Sequence, residues 1–199
     1  MSRPRILAAA LAVAALLLAA PLAAATASPD RSPAEHYFAN IELVSQDGQT
    51  VRLYDDLMRG KVVVINSFFA SCKGSCPVMA ASFAAIQSQF KDRLGKDLIL
   101  ISISVDPEET PEKLKTFADK FKAQPGWYLL TGKRADVELA LHKLGQYVEE
   151  KGDHSNVMLI GNDRTGLWKK AFGLARTQDL ISIVKSVLDD HEESPSSLP

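Results

Sequence analysis

NSFFASCKGSCPVMAASF, residues 66–83, holds both cysteines of the 199-residue chain. Cys72 and Cys76 stand four apart, Pro77 follows the second, and the pair separates two different periodicities. Before it, VVVINSFF (62–69) is a continuous apolar run with β-branched residues, the pattern of a strand buried on both faces. After it, Met79, Phe83, Ile86 and Phe90 recur at helical spacing, and Gly95 is placed to end that helix. A dithiol at a strand-to-helix junction meets free backbone N–H groups and the positive end of the helix dipole, which favour thiolate. Three readings compete for such a pair: a structural disulfide, a redox dithiol, or two metal ligands.

The flanking sequence sets the frame around this junction. Ile41–Val44 and Val51–Leu53 surround Gln46-Asp47-Gly48-Gln49, which predicts a β-hairpin. LILISISV (98–105) is a second buried strand, and Thr110-Pro111 has the form of N-cap and first residue of a helix carrying Leu114, Phe117, Ala118 and Phe121. WYLL (127–130) is a short strand, and Thr131 begins a turn into a helix with Val137, Leu139, Leu141 and Leu144. VMLIG (157–161), a DRTG turn and LWKKAFG (167–173) form a second hairpin, and Thr177 is the expected cap of a last helix through Val187. Parallel strands joined by helices, then an antiparallel hairpin and a helix, give one α/β domain of thioredoxin-like fold. The N-terminal hairpin and a β-α piece within 117–145 are additions to it.

The N-terminus bears on the compartment. Arg3 and Arg5 precede an Ala/Leu run from Ile6 to Ala20, Pro21 breaks it, and Ala25-Thr26-Ala27 has the small-x-small form of a cleavage site. Residues 1–27 are therefore expected to be a signal peptide, the alternative being an uncleaved anchor, since Ile6–Ala27 is uncharged and long enough to span a bilayer. Either way the functional domain is exported, to the periplasm, soluble or held at the membrane. Residues 28–38 are expected to be a flexible leader, 39–190 the folded domain and 191–199 a disordered polar tail. The chain has 23 basic and 24 acidic residues, and cleavage would remove only Arg3 and Arg5. No basic excess points to nucleic acid. A domain of this size does not need a staple to fold, and a bridge across so short a loop removes little chain entropy. Chemistry explains the spacing of the cysteines better than stapling does.

The fold predicts a second element of the site. The loop before the third core strand, GDHSN (152–156), is expected to lie against the dithiol. Thioredoxin-type oxidoreductases carry a cis-proline there, whereas this chain has no proline between Pro125 and Pro195 and offers Asp153-His154-Ser155. Two thiolates and an imidazole suit copper. A structural zinc site wants four protein ligands, and His36, His142 and His191 fall in the leader, on a helix surface and in the tail. Asp153 is a candidate acceptor orienting His154, or a plain solvated turn residue. Met79 is core by its spacing, and the acidic Pro107-Glu108-Glu109 is a solvated helix start.

These residues resemble the Sco/SenC copper-binding family. Cys72-Lys73-Gly74-Ser75-Cys76-Pro77 is similar to its CxxxCP motif, Asp153-His154-Ser155 to its DHS/DHT segment, ISISVDPEETPEKL (101–114) to its strand-SVDP-TP-helix stretch, and Trp127–Gly132 to its W-x-x-LTG. Phe69-Ala70-Ser71 and Lys73-Gly74 depart from the Gly-Tyr-Thr and Pro-Asp common there, so the surface around the ligands differs. The resemblance implies copper(I)/copper(II) bound by Cys72, Cys76 and His154, for assembly of the dinuclear copper centre of cytochrome c oxidase. Its implied partners are cytochrome c oxidase subunit II or another exported copper protein, and a thiol reductant protein. The alternative is an exported thiol-disulfide oxidoreductase, with Cys72 the attacking and Cys76 the resolving thiol.

Overall fold

The computed structural model describes residues 33–38 and 40–191. The expected signal peptide, the start of the expected leader and residues 192–199 lie outside them. Two central strands, β3 (Val62–Phe68) and β4 (Leu98–Ser104), are buried at every position and pair in parallel from Val62↔Leu98 to Phe68↔Ser104. Both faces of such a ladder must be covered. Val62, Val64 and Phe68 face the helices α2 (Ser75–Gln89), α3 (Pro111–Lys120) and α5 (Thr177–Leu188). Val63 and Ile65 face α4 (Arg134–Leu144) and a π-helical turn at Leu53–Met58. The result is a sheet between two helical layers, as the α/β reading required.

The rest of the sheet forms around that pair. The N-terminal hairpin is β1 (Glu42–Ser45) and β2 (Thr50–Arg52). The inserted strand β5 (Trp127–Thr131) runs parallel to β4 and receives β1 antiparallel on its other side. On the opposite flank, β6 (Val157–Asn162) pairs antiparallel with β3, and β7 (Leu167–Phe172) closes the edge. The seven-stranded order is β2-β1-β5-β4-β3-β6-β7. Inside it, the Ser102 hydroxyl donates to Asn66 (2.7 Å) and accepts from the Trp127 indole N–H (3.1 Å). Three strands thus share a satisfied polar contact in an apolar interior, where an unpaired group would be costly.

Several expectations change in the structure. Part of the leader is ordered: Pro33–Phe38 forms a short helix, α1, and Phe38 is buried against Trp168 with ring centroids 4.8 Å apart. Ala34 also packs on the core, and Lys143 lies over the Tyr37 ring. The helix α2 stops at Gln89, before Gly95, which takes a left-handed φ of 77° in the turn beyond and packs against Gly126. On α4, Val137, Ala140, Leu141 and Leu144 face inward and Leu139 is exposed. Thr177 is the first residue of α5 rather than its cap, which is Arg176. Thr110 does cap α3, its side chain accepting from the Lys113 N–H.

Trp168 lies so close over the backbone of Gly161 that an added Cβ would come within 2.2 Å of its ring. Gly161→Ala is therefore expected to push the indole aside and lower unfolding free energy by about 1–3 kcal/mol, the usual range for overpacking. Urea unfolding checks this, and an unchanged midpoint would show that the ring moves freely.

Candidate metal centre

Strand polarity brings the site together. β3 ends at Phe68 and leads into the loop carrying Cys72, while Cys76 lies in the first turn of α2. Because β6 runs antiparallel to β3, with Met158 opposite Asn66, the segment entering β6 arrives beside the segment leaving β3. That entering segment is a 3-10 turn, Lys151–Asp153, followed by His154. The Sγ atoms of Cys72 and Cys76 and a ring nitrogen of His154 all lie within 4.8 Å of one another. Two metal–sulfur bonds of about 2.3 Å allow a separation of about 4.6 Å at most, so the three donors need only a slight contraction to share one ion. Among the described residues no other cysteine, histidine or carboxylate joins the group. A four-ligand zinc site is therefore not assembled there.

The imidazole is held in one orientation. Nδ1 stands 3.2 Å from the Lys151 carbonyl, which can only accept, so in the neutral ring Nδ1 carries the proton. The Nε2 lone pair then faces Cys76 Sγ at 3.1 Å and the Ser75 hydroxyl at 3.3 Å. Phe69 stacks edge-on against the ring, centroids 5.3 Å apart. The backbone carbonyl of Lys151 thus takes the orienting role proposed for Asp153, which is exposed. A main-chain acceptor leaves no mark in residue type, so sequence could not name it.

The two thiols are unequal. Cys76 is 1 % exposed and Cys72 partly exposed; both are free. Burial pushes the Cys76 thiol up to about 12, and its position beside Cys72 adds to the rise. Burial also opposes ionisation of Cys72, but a hydrogen bond from Cys76 and the backbone N–H groups of Cys76, Gly74 and Ser75 outweigh it, and Cys72 titrates below an ordinary thiol. The first turn of α2 therefore concentrates thiolate character on the outer cysteine.

Two acidic residues anchor the loops, and one of them, Glu109, was expected to be solvated. Glu109 is buried, and its carboxylate accepts from the Ala70 N–H (2.8 Å) and the Ser104 hydroxyl (3.0 Å), fastening the cysteine loop to the end of β4. Asp106, 7 % exposed, receives Lys151 Nζ at 2.6 Å, which ties the histidine turn to the same loop. Burial opposes its ionisation, yet the Lys151 hydrogen bond and the Glu108 N–H hold Asp106 below the usual carboxylate range. The Lys151 ammonium also lies over the Phe69 ring, 5.6 Å from its centroid. Met79 is core, as its spacing suggested, with no exposed surface. A cavity of about 690 Å³ opens elsewhere, beside Trp168 and Phe38, but none of the candidate donors lines it.

Near neutral pH, iodoacetamide is expected to modify Cys72 well before Cys76, with Cys76 reacting at a comparable rate only after denaturation; peptide mapping of a time course checks the order. Glu109→Ala should cost about 1–3 kcal/mol by leaving the Ala70 N–H and Ser104 hydroxyl without an acceptor. Glu109→Gln should recover part of that loss, because an amide oxygen can still accept. Equal losses in both variants would assign the effect to charge rather than to the hydrogen bonds.

Comparison with known proteins agrees with this geometry. Residues 29–188 match the SCO1/SenC family. The SCO1 protein homolog of Bacillus subtilis is 32 % identical over 154 residues, covering 71 % of this chain and 78 % of that protein. The solved structure of BsSco, described as a member of the Sco family of cytochrome c oxidase assembly proteins and as containing a disulfide switch, is 29 % identical. It covers 75 % of this chain and 92 % of its own, with a TM-score of 0.61. The fold is also that of ScoI from Arabidopsis thaliana, solved with copper bound: TM-score 0.63, 23 % identity, 77 % of this chain and 99 % of that one. With its dithiol leaving β3 and its histidine entering β6, the chain belongs to the SCO1/SenC family.

Proposed function

We propose that this protein binds one copper ion through Cys72, Cys76 and His154 and delivers it, outside the cytoplasm, for assembly of the dinuclear copper centre of cytochrome c oxidase. The observation that carries the reading is the convergence of two thiols and an imidazole nitrogen, from two separate loops, within 4.8 Å. Membership of a family whose Arabidopsis member has been solved with copper bound supports it. Copper is the cargo here. Two thiolates satisfy copper(I), which is soft, and the imidazole adds the nitrogen that copper(II) requires. Three protein donors leave the ion accessible on the side of the partly exposed Cys72, where an incoming ligand can attach before Cys72 lets go. Export of residues 39–190 by the N-terminal segment belongs to the same reading, as does subunit II or another exported copper protein as receiver.

Binding is linked to the redox and protonation state of the pair. Each thiol must lose its proton to ligate, and a disulfide removes both donors. Reduced protein is expected to take up about one copper per chain, as one cluster allows, and oxidised protein far less. Equal uptake by both would defeat the proposal. Cys72→Ser or Cys76→Ser should weaken copper(I) binding about a hundredfold or more, about 2.7 kcal/mol, in competition with a chelator. His154→Ala should retain much of the copper(I) affinity but lose the thiolate-to-copper(II) absorption. A full copper(II) spectrum in that variant would remove His154 from the ligand set.

A second reading, thiol-disulfide exchange on another protein, is favoured by the contrast between the outer, more acidic Cys72 and the buried Cys76. It predicts turnover against a general disulfide substrate that His154→Ala leaves intact, whereas the copper reading predicts feeble turnover in both proteins.

A further inference from the structure

Beside Cys72 the surface forms a cavity of about 390 Å³, whose other wall is one face of α3. Lys113, Thr116, Phe117 and Lys120 line it, at positions i, i+3, i+4 and i+7 that share one side of a helix. Phe117 supplies a buried apolar floor, and Phe68 packs on it at 5.0 Å between centroids. The two lysines are exposed and, among the described residues, neither forms an ion pair: Lys113 Nζ donates to the Glu108 carbonyl, and Lys120 lies over the Phe121 ring. The carboxylates of this region sit outside the cavity, and Asp106, whose charge Lys113 also feels, is paired with Lys151. Glu109 is turned under the loop to the Ala70 N–H, and Asp119 approaches Lys115 at 3.6 Å on another side of the helix. No acidic residue lines the cavity.

The geometry points to a binding site for a small carboxylate-bearing disulfide or its thiol, of short-peptide size, with its sulfur at Cys72 and its carboxylates between Lys113 and Lys120. A volume of about 390 Å³ lies within the range of small-ligand sites. In the oxidising direction the Cys72 thiolate attacks one sulfur of the bound disulfide. The Cys72–sulfur bond forms, the ligand's sulfur–sulfur bond breaks, and the released thiolate takes up a proton. Cys76 then gives up its proton and attacks Cys72 Sγ, expelling the second ligand thiolate. The protein dithiol loses two electrons and the ligand disulfide becomes two thiols. The reverse sequence reduces the Cys72–Cys76 disulfide. The charged wall thus selects which thiol couple sets the redox state of the pair. The inference rests on the same dithiol as the copper proposal but not on copper.

The test compares oxidation of the reduced full chain by glutathione disulfide, which is anionic, and by cystamine, which is cationic. The ratio of the two rates is followed across variants, which cancels the intrinsic reactivity of each reagent. Lys113→Gln/Lys120→Gln removes two positive charges at the cavity. Lys96→Glu makes the same net change beyond the opposite end of the parallel strands, about 20 Å away by strand rise. The anionic-to-cationic ratio is expected to fall about tenfold in the double variant, the low end of electrostatic steering effects, and to stay close to the starting value in Lys96→Glu. In the unaltered protein the ratio should also fall between 20 mM and 500 mM salt, because exposed charges are screened. That measurement stands if the double variant does not fold. A ratio indifferent to the lysines and to salt, or one lowered equally by Lys96→Glu, overturns the site. Copper uptake is measured on the same proteins without disulfide, so failure of the copper proposal is read separately.

Discussion

The antiparallel pairing of β6 with β3 is the constraint on which the site depends. A parallel neighbour would deliver its entering loop to the far end of the sheet, about 20 Å away. With Met158 opposite Asn66, the chain reaches β6 at the end of the sheet where it left β3. His154 and the cysteines, nearly eighty residues apart, therefore meet through main-chain register. Side-chain attraction only refines the meeting. The same strand β3 pairs in parallel with β4, so the loop that holds Asp106 and Glu109 emerges at that edge as well.

Around this edge, three loops are tied by polar contacts to buried carboxylates as well as by apolar packing. Glu109 fastens the β3 loop, and Asp106 with Lys151 fastens the turn before β6. Both carboxylates are buried, a costly arrangement unless every oxygen is well used. They accept from backbone N–H groups, a hydroxyl and an ammonium, which join neighbouring loops. With Nδ1 beside the Lys151 carbonyl, the imidazole keeps its lone pair on the dithiol side.

The two cysteines illustrate how position within a single turn divides chemistry. Cys72 faces the N–H groups of Gly74, Ser75 and Cys76, while Cys76 is enclosed by the core of α2. One thiol is thereby partly exposed and titrates low, the other is buried and titrates high. A pair so divided presents its outer sulfur first to any incoming group. Family membership and geometry support copper as cargo, and the lysine-lined wall of α3 stands beside the outer thiol.

The sequence by itself determined the seven-stranded α/β frame in outline, because strand and helix here have distinct periods. The buried runs at 62–68 and 98–104 and the inward face of α3 lie close to where patterning placed them. It also implied that Cys72, Cys76 and His154 would lie together, as they do, since their residue types are rare in this chain and the element order brings their loops to one place. What it could not show were contacts whose partners are ordinary residues far apart in the chain. Glu109 looked solvated because acidic residues at a helix start usually are, and Phe38 looked like leader because its partner Trp168 lies 130 residues away. Lys151 contributes a carbonyl and an ammonium that no local pattern marks. Tertiary structure decided these because the value of a buried charge or a lone aromatic depends on what the sheet brings opposite it, and that is a property of register, not of composition.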